Sequence, residues 1–211
     1  MKNLKKIKND ASFRMFFRKK YNDRSSIIVF AKKEKYKNLV VYDSINKILI
    51  KNGILAPTLY SENINKHFIE IQDFGNTTVL KILNKRDNNK FYYFKKAIEL
   101  LNKIQLIKDK KVRNLKKKIY KIPKYNNGIL IKEASLFYNW YAKRNLPKNE
   151  IKKFSKEFKK ILKTLTLNLK LKNNVFVHRD FHVSNLMMVN NQIGIIDSQD
   201  ALIGNKAYDL A

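Results

Sequence analysis

Residues 175–197 read VFVHRDFHVSNLMMVNNQIGIID, and this stretch decides the fold. A short apolar strand leads into a polar loop, and two further apolar segments around an Asn-Asn turn form a hairpin-like pair. The ends of these strands present Asp180, Asn185 and Asp197. The sequence therefore predicts that a carboxylate, an amide and a second carboxylate meet in one tight unit.

This order of residues is typical of phosphoryl transfer in kinases of the protein kinase type, which use His-x-Asp, an Asn five residues later and an Asp after the next strand. One Asp must stay free of metal to accept the proton of an acceptor hydroxyl. The Asn and the second Asp provide the oxygen ligands that Mg²⁺ prefers. His-x-Asp alone is common, and it is the combination with the strands that favours a phosphotransferase. We group His178 with Asp180 as a catalytic residue and expect it to bond the backbone and hold the loop in place. His182, inside the loop, is expected to contact the loop and not a metal.

The rest of the chain predicts a β-rich N-terminal part and a helical C-terminal part. The first third reads as strand, strand, helix and strand, in the segments 11–18, 26–31, 37–52 and 68–71. Gly53 is a predicted C-terminal cap of this first helix. Three helices follow, at 89–107, at 131–145 and from Pro147 onward, and a basic stretch around Pro123 is expected to be a surface loop.

Composition excludes several classes of protein. The 211 residues contain no cysteine, which excludes disulfides and thiolate metal sites. The five glycines are too far apart for a dinucleotide-binding fingerprint or a Walker A loop. No apolar run is long enough for a membrane helix, and the N-terminus lacks the apolar core of a signal peptide. A cytoplasmic protein without a membrane partner is expected.

The net charge of +29 has a simple explanation that needs no nucleic-acid partner. Only seven of the 46 basic residues are arginines, although arginine is the residue that reads guanine and phosphate. Lys, Asn and Ile are all abundant and share A/T-rich codons. Codon bias with solvated lysine faces is therefore favoured over specific nucleic-acid binding, while non-specific polyanion binding at low salt is expected.

The segments VHRDFHVSNLMM and GIIDSQDALIGNKAYDLA resemble the catalytic half of the aminoglycoside/choline-kinase-like phosphotransferases. NDASFRMFFR, IEIQDFGNTTVLKIL and EASLFYNWYAKRNL extend the likeness over nearly the whole chain, toward bacterial anomeric N-acetylmuramate and N-acetylglucosamine kinases. The resemblance implies an α+β, two-lobed protein-kinase-like fold. Residues 1–75 would form the nucleotide-binding lobe and hinge, and 76–211 a helical catalytic lobe with a β-hairpin.

The resemblance also implies roles for individual residues, with ATP and Mg²⁺ as cofactors. Asp180 becomes the catalytic base, and Asn185 and Asp197 become the magnesium ligands. Asp209 is expected to brace the catalytic loop, whereas Asp200 matches a family acid without an assigned role. Residues implied to bind the nucleotide lie in the loop over the phosphates and in the 71–74 hinge, namely Asp10, Ser12, Arg14, Gln72 and Asp73.

The chain departs from the family pattern in three places. Its phosphate loop has no glycine. The lysine that pairs with the phosphates is not clearly placed: Lys32 and Lys33 remain alternatives, and Asp43 is the only acid in the first helix that could complete a Lys–Glu type of pair. The chain also stops at Ala211, where similar proteins continue with further helices. We therefore expect exposed apolar surface around Ile161, Leu165 and the 131–145 helix.

The substrates predicted from these observations are ATP and a small molecule with a hydroxyl group. Aminoglycosides are polycations that a chain of charge +29 would repel, so an anionic or neutral sugar is favoured. The alternatives are an aminoglycoside or choline-type kinase, and a non-catalytic kinase-like scaffold that binds RNA. The sequence leaves the phosphorylated hydroxyl and the oligomeric state open.

Overall fold

The computed structural model describes residues 4–7, 13–32, 35–85, 89–168 and 172–210. Its N-terminal part is a five-stranded antiparallel sheet with the strand order β1-β2-β3-β5-β4. The strands are β1 (Leu4–Ile7), β2 (Arg14–Lys20), β3 (Ser25–Ala31), β4 (Leu59–Asn63) and β5 (Phe68–Gln72). The predicted order of strand, strand, helix and strand is confirmed, and β1 and β4 are added at the two edges of the sheet.

Helix α1 (Tyr36–Lys51) packs against one face of this sheet, here called the inner face. Strand residues alternate between faces, so every second residue of β3 faces α1. These residues are apolar, as are those that pair with them on β5: Ile27, Val29, Ala31, Ile69 and Ile71. The helix ends at Lys51 and Gly53 follows with φ of +72°, in agreement with the predicted glycine cap.

The two ends of α1 belong to different apolar clusters. Leu39 and Val40 pack with the sheet, whereas Ile45, Ile48 and Leu49 pack with residues of the C-terminal part. All five side chains are buried. The N-terminal sheet and the C-terminal part are therefore joined through one helix, which fixes where the sheet stands relative to the strands that follow residue 175.

The C-terminal part is mostly helical, with three small strand pairs. Its helices are α2 (Val79–Leu83), α3 (Lys90–Gln105), α4 (Asn127–Leu136), α5 (Lys143–Asn145) and α6 (Lys148–Asn168). Its strands are β6 (Lys111–Arg113), β7 (Ile119–Lys121), β8 (Val175–Val177), β9 (Leu186–Val189), β10 (Gln192–Ile195) and β11 (Leu202–Gly204). The predicted hairpin is β9 paired with β10, while β8 pairs with β11.

Two segments differ from the sequence-based prediction. The helix expected at 131–145 begins earlier, at Asn127, because the Asn126 side chain caps it, and its course changes to a π-helix at Phe137–Ala142. The basic stretch predicted as a loop contains the hairpin of β6 and β7. Only Val112 and Tyr120 of that hairpin pack inward, so the pattern is too short to read from sequence.

Apolar side chains are exposed where the sequence predicted them. At least half of the surface is exposed at two residues of α6 and three aromatic residues of the π-helix: Ile161, Leu165, Phe137, Trp140 and Tyr141. Phe137 stacks on Tyr141 along this surface. No helix within the described ranges is both long enough and apolar enough to cross a membrane.

We expect Gly194→Ala to destabilise the fold. A Cβ at this buried position of β10 would lie 2.7 Å from Cε2 of Phe74 and 3.2 Å from both Cγ and the carbonyl oxygen of Leu55. The ring or the strand must shift, which costs about 1 to 3 kcal/mol. Urea denaturation measures the change, with Lys159→Ala on the exposed face of α6 as the control. Equal unfolding free energies for the two variants would contradict the packing described.

Candidate active site

The loop between β8 and β9 is held by the carboxylate of Asp209. The backbone N–H of His178 donates to Oδ2 of Asp209 at 2.7 Å, and that of Arg179 donates to Oδ1 at 2.8 Å. Arg179 has φ of +76°, a conformation that costs about 1 to 3 kcal/mol for a non-glycine residue. Two charge-assisted hydrogen bonds offset this cost. The predicted bracing of the loop by Asp209 is confirmed.

His178 is fully buried below the loop. Burial lowers the pKa of its imidazole to about 4, so the ring is neutral near pH 7. Its Nδ1 accepts a hydrogen bond of 3.3 Å from the backbone N–H of Asp180. A neutral ring fixed in this way positions the loop and does not exchange protons with a substrate.

Asp180 presents a carboxylate within this loop. Its side chain is half-buried, and burial raises its pKa together with the negative charges of Asp197 and Asp200. The carboxylate makes no hydrogen bond to any residue of the described ranges, whereas its backbone carbonyl accepts from Nδ2 of Asn185 at 3.0 Å. The loop therefore offers a proton acceptor of increased basicity that protein partners leave open.

Asn185 and Asp197 flank the β9–β10 hairpin and are tied together by the backbone. The N–H of Ile196 donates to the carbonyl of Asn185 at 3.0 Å. Asp197 has φ of +65°, the second left-handed residue of the site. Oδ1 of Asn185 and Oδ2 of Asp197 accept no hydrogen bond from the residues that the structure describes.

These two open oxygens fit a magnesium ion. Mg²⁺ takes few ligands from protein and completes its shell with water and phosphate oxygens. Within the described ranges, no group of three or more His, Asp or Glu side chains is arranged to hold a metal ion. Asn185 and Asp197 would offer one amide and one carboxylate oxygen, of the kind that Mg²⁺ binds together with phosphate oxygens.

Arg14 connects the sheet to this hairpin. It is the first residue of β2 and only 6% exposed. Its Nη1 donates to Oε1 of Gln199 at 2.7 Å, and its Nη2 forms an ion pair with Oδ1 of Asp197. The sequence assigned Arg14 to a loop over the phosphates, and the structure places it on the inner face of the sheet beside the second carboxylate of the site.

Helix α1 supplies no carboxylate to this cluster. Asp43 pairs with Lys47 on its own helix, with its Oδ2 2.8 Å from Nζ of the lysine. The helix face toward the site instead carries Tyr42, whose pKa is raised to about 12 by burial, and Asn46, which accepts 2.6 Å from the Ser198 hydroxyl. The Lys–Glu type of pair is thus replaced by neutral side chains on α1.

The hinge residue Asp73 is occupied by protein partners. Arg18 binds its carboxylate in a bidentate manner, with Nε to Oδ2 at 2.5 Å and Nη2 to Oδ1 at 2.9 Å. The Ser25 hydroxyl and the Gly75 N–H donate to the same carboxylate. These bonds lower the pKa of Asp73 despite its burial. Its side chain anchors β2 to the hinge, so any contact with a base would come from the backbone.

The other predicted nucleotide residues lie outside this cluster or outside the described ranges. Gln72 ends β5 and pairs with Ser26, on the sheet face opposite α1. Lys32 follows β3 and is exposed. Asp10, Ser12 and Lys33 are not among the described residues.

Glu133 has no role in the sequence-based prediction, although it lies in the segment EASLFYNWY. This α4 residue forms an ion pair with Nη2 of Arg179 and accepts hydrogen bonds from the hydroxyls of Tyr125 and Tyr208. It therefore holds the side chain of the residue that precedes Asp180. Gln199 and Arg18 were likewise missed, because their partners are more than 50 residues away in the chain.

Comparison with known proteins agrees with this geometry. Residues 3–211 match the phosphotransferase enzyme family APH. The chain belongs to this family. It is 27% identical over 203 residues to an N-acetylmuramate/N-acetylglucosamine kinase of Neisseria meningitidis serogroup B, and 28% identical over 202 residues to a protein of the same name from Pseudomonas aeruginosa. These alignments cover 95% and 96% of the chain, which spans only 58% and 56% of the length of those relatives.

Solved structures confirm the α+β, protein-kinase-like fold of this family member. The streptomycin–ATP complex of APH(2'')-IIa superposes with a TM-score of 0.65 at 15% identity, covering 99% of this chain and 70% of the other. A choline/ethanolamine kinase family protein from Mesorhizobium loti gives 0.60 at 13% identity, covering 98% and 61%. At these identities the likeness shows the fold alone.

Asp209→Ala should destabilise the protein through the loop between β8 and β9. The substitution leaves the N–H groups of His178 and Arg179 without acceptors in a buried setting, which costs about 2 to 4 kcal/mol. Asp209→Asn keeps one acceptor oxygen and should lose about half as much. Urea denaturation of both variants, with Lys206→Ala as the control, measures these changes. A loss below 0.5 kcal/mol, on the order of a surface substitution, would show that the loop does not depend on this carboxylate.

Proposed function

We propose that this protein transfers the γ-phosphoryl group of ATP to a hydroxyl of a small molecule, with Mg²⁺ as the required ion. The observation that carries the proposal is the open carboxylate of Asp180 beside the open oxygens of Asn185 and Asp197. Each of these three groups is held by its backbone or by a neighbour, yet directs an oxygen that no described residue binds. This arrangement suits the binding of an acceptor hydroxyl on one side and a metal–phosphate group on the other.

In the proposed mechanism, Asp180 accepts the proton of the acceptor hydroxyl as its oxygen attacks the phosphorus. The raised pKa of Asp180 makes it a stronger base than an exposed carboxylate. Asn185 and Asp197 would hold Mg²⁺, which neutralises charge on the phosphate oxygens when bound. His178 and Asp209 keep the loop in place, so that the base does not move as the proton is transferred.

We further propose that the nucleotide base binds at the hinge, with residues 1–75 as the nucleotide lobe and 76–211 as the catalytic lobe. The Phe74 backbone makes no hydrogen bond to any residue in the described part of the chain, and its side chain is buried against β10. A backbone donor and acceptor at a fixed position can pair with the edge of a purine. The neighbouring Asp73, fixed by Arg18, keeps this backbone in one conformation.

For the acceptor, we propose the anomeric hydroxyl of an N-acetylated amino sugar. The support is the name shared by the relatives at 27% and 28% identity, which cover nearly all of this chain. The net charge of +29 favours a neutral or anionic acceptor over a polycationic aminoglycoside. The chain spans little more than half of the length of those relatives. The proposed acceptor therefore rests on the segments that this chain shares with them.

Asp180→Asn should abolish phosphoryl transfer without weakening nucleotide binding. The amide cannot accept a proton at neutral pH, and loss of a general base costs on the order of 10² to 10⁴ in rate. Turnover of ATP with N-acetylglucosamine measures the rate, and calorimetry measures ATP affinity. Because the variant is isosteric, a change in both quantities would point to disruption of the loop, and turnover equal to that of the parent would remove Asp180 from the mechanism.

Asp197→Ala should weaken binding of Mg·ATP more than Asn185→Ala does. The aspartate contributes a charged ligand, whereas the asparagine contributes a neutral one. ATP titrations with and without Mg²⁺ separate the two effects, because the metal-free affinity should change little. If Asp197→Ala retains the magnesium dependence of the parent, this carboxylate does not hold the ion.

A screen of ATP consumption tests the acceptor. N-acetylmuramate, N-acetylglucosamine, choline and kanamycin are supplied separately to the same preparation, and the phosphorylated position is read by ³¹P NMR. We expect turnover with the N-acetylated sugars and an anomeric phosphate as the product. Robust turnover of kanamycin with none of N-acetylglucosamine would reverse the assignment.

A further inference from the structure

Arg179 is a cation directly beside the residue proposed as the base. It precedes Asp180 in the loop between β8 and β9, and its charge opposes the rise in the pKa of Asp180 that burial and two neighbouring carboxylates cause. Arginine binds carboxylates through short, charge-assisted hydrogen bonds. The Asp180 carboxylate nevertheless accepts no hydrogen bond from any described residue. The reason lies in the other partners of Arg179.

The guanidinium of Arg179 is bound to α4 instead. Its Nη2 forms an ion pair with Oε1 of Glu133, and its Nη1 donates to the backbone carbonyl of Asp200 at 3.4 Å. Its Nε is buried and has no hydrogen-bond partner among the described residues. Arg179 therefore has a donor that a different carboxylate could use if Glu133 released the guanidinium.

Glu133 is anchored independently of the arginine. Its other oxygen, Oε2, accepts hydrogen bonds from the hydroxyls of Tyr125 and Tyr208, the second at 3.5 Å. The two tyrosine rings meet edge to face with their centroids 5.6 Å apart, which holds both hydroxyls on the same carboxylate. Burial and the hydrogen bond to Glu133 raise the pKa of Tyr125, so its hydroxyl stays a donor at neutral pH. The carboxylate is thus in place to receive the guanidinium.

The course of the loop is fixed by main-chain bonds, whatever the Arg179 side chain contacts. The backbone N–H groups of His178 and Arg179 donate to the carboxylate of Asp209. The ion pair with Glu133 acts on the side chain alone. It therefore determines where the guanidinium beside the base is directed, and which negative charge it meets.

We propose that Glu133 is a positioning residue that keeps the base open: by binding the guanidinium of Arg179, it prevents an ion pair between that guanidinium and the Asp180 carboxylate. Such a pair would cover the oxygens that have to accept the proton of the acceptor hydroxyl, and breaking it would add to the barrier of every turnover. Glu133 acts through Arg179 and not by contact with a substrate. The inference rests on the proposed phosphoryl transfer with Asp180 as the base.

The two partners of the ion pair should differ in their effect on turnover. Glu133→Gln leaves a free guanidinium beside Asp180 and should lower kcat about 10- to 100-fold, as expected for a hydrogen bond between charged groups, with Mg·ATP affinity as in the parent. Arg179→Met breaks the same ion pair but removes the guanidinium, so kcat should stay near that of the parent. The double variant should turn over like Arg179→Met. Turnover of ATP with N-acetylglucosamine gives kcat, calorimetry gives the affinity, and Glu157→Gln at an exposed position of α6 is the control.

The partner of Arg179 can also be identified without turnover, from its side-chain Nε resonance in ¹⁵N NMR. The resonance is assigned by its absence in Arg179→Met. We expect Asp180→Asn to shift it strongly in the Glu133→Gln background, where the arginine has moved to Asp180, and only slightly in the parent. Asp200→Asn, which changes the other carboxylate nearby, should shift it only slightly in both.

Three results would overturn the inference. Equal losses of kcat in Glu133→Gln and Arg179→Met would show that the ion pair only holds the loop. A double variant as slow as Glu133→Gln would exclude the arginine as the cause of the loss. A resonance that responds to Asp200→Asn and not to Asp180→Asn in the Glu133→Gln background would show that the guanidinium moves to a different carboxylate.

Two further outcomes are separable from these. If Glu133→Gln fails to fold by circular dichroism, Glu133→Asp replaces it: its shorter side chain withdraws the carboxylate from Arg179, and a loss of kcat that Arg179→Met does not relieve would contradict the proposal. A parent chain without turnover would refute the proposed function, and the NMR comparison would still decide whether Glu133 keeps the arginine away from Asp180.

Discussion

The carboxylate of Asp209 is the constraint on which the site depends. It accepts hydrogen bonds from two consecutive backbone N–H groups, those of His178 and Arg179. These bonds offset the cost of the positive φ at Arg179. Those two residues set the direction of Asp180, the next residue in the chain. Arg179 in turn is bound by Glu133 of α4, so the loop is held by its backbone from one side and by a side chain from the other. The carboxylate of Asp180 can then stay open to a ligand, because none of the described hydrogen bonds that hold the loop involves it.

A second constraint joins the N-terminal sheet to the C-terminal part of the chain. Helix α1 belongs to both apolar clusters, and the Arg14–Asp197 ion pair connects the same two parts on the polar side. Apolar packing has no directional preference, so the helix alone would fix the distance between the two parts better than their relative rotation. Hydrogen bonds of a planar guanidinium are directional. The ion pair therefore supplies the orientation that the packing lacks.

The sequence predicted those features that local pattern determines. The loop from His178 to Asn185 and the hairpin before Asp197 could be found because strand, turn and polar residues lie within one short stretch. Helix α1 was found from its period and its glycine cap. In contrast, the partners of Arg14 and Arg18 lie 183 and 55 residues away, and no local pattern encodes them. The edge strand β1 has two lysines in four residues, so its membership in the sheet depends on pairing with β2 and not on its own composition.

The chain has a large net positive charge, whereas three aspartates lie close together at the site. Asp180, Asp197 and Asp200 lie close enough for their charges to raise the pKa of Asp180, in a protein with a net charge of +29. Arg14 forms an ion pair with Asp197, whereas Asp180 and Asp200 form no ion pair with any residue that the structure describes. The remaining negative charge would favour the divalent cation of the proposed function, and the net positive charge of the chain would attract a polyphosphate. Carboxylates in a positively charged protein therefore suit the metal and the phosphate of the proposed function together, because the metal screens the carboxylates from the phosphate.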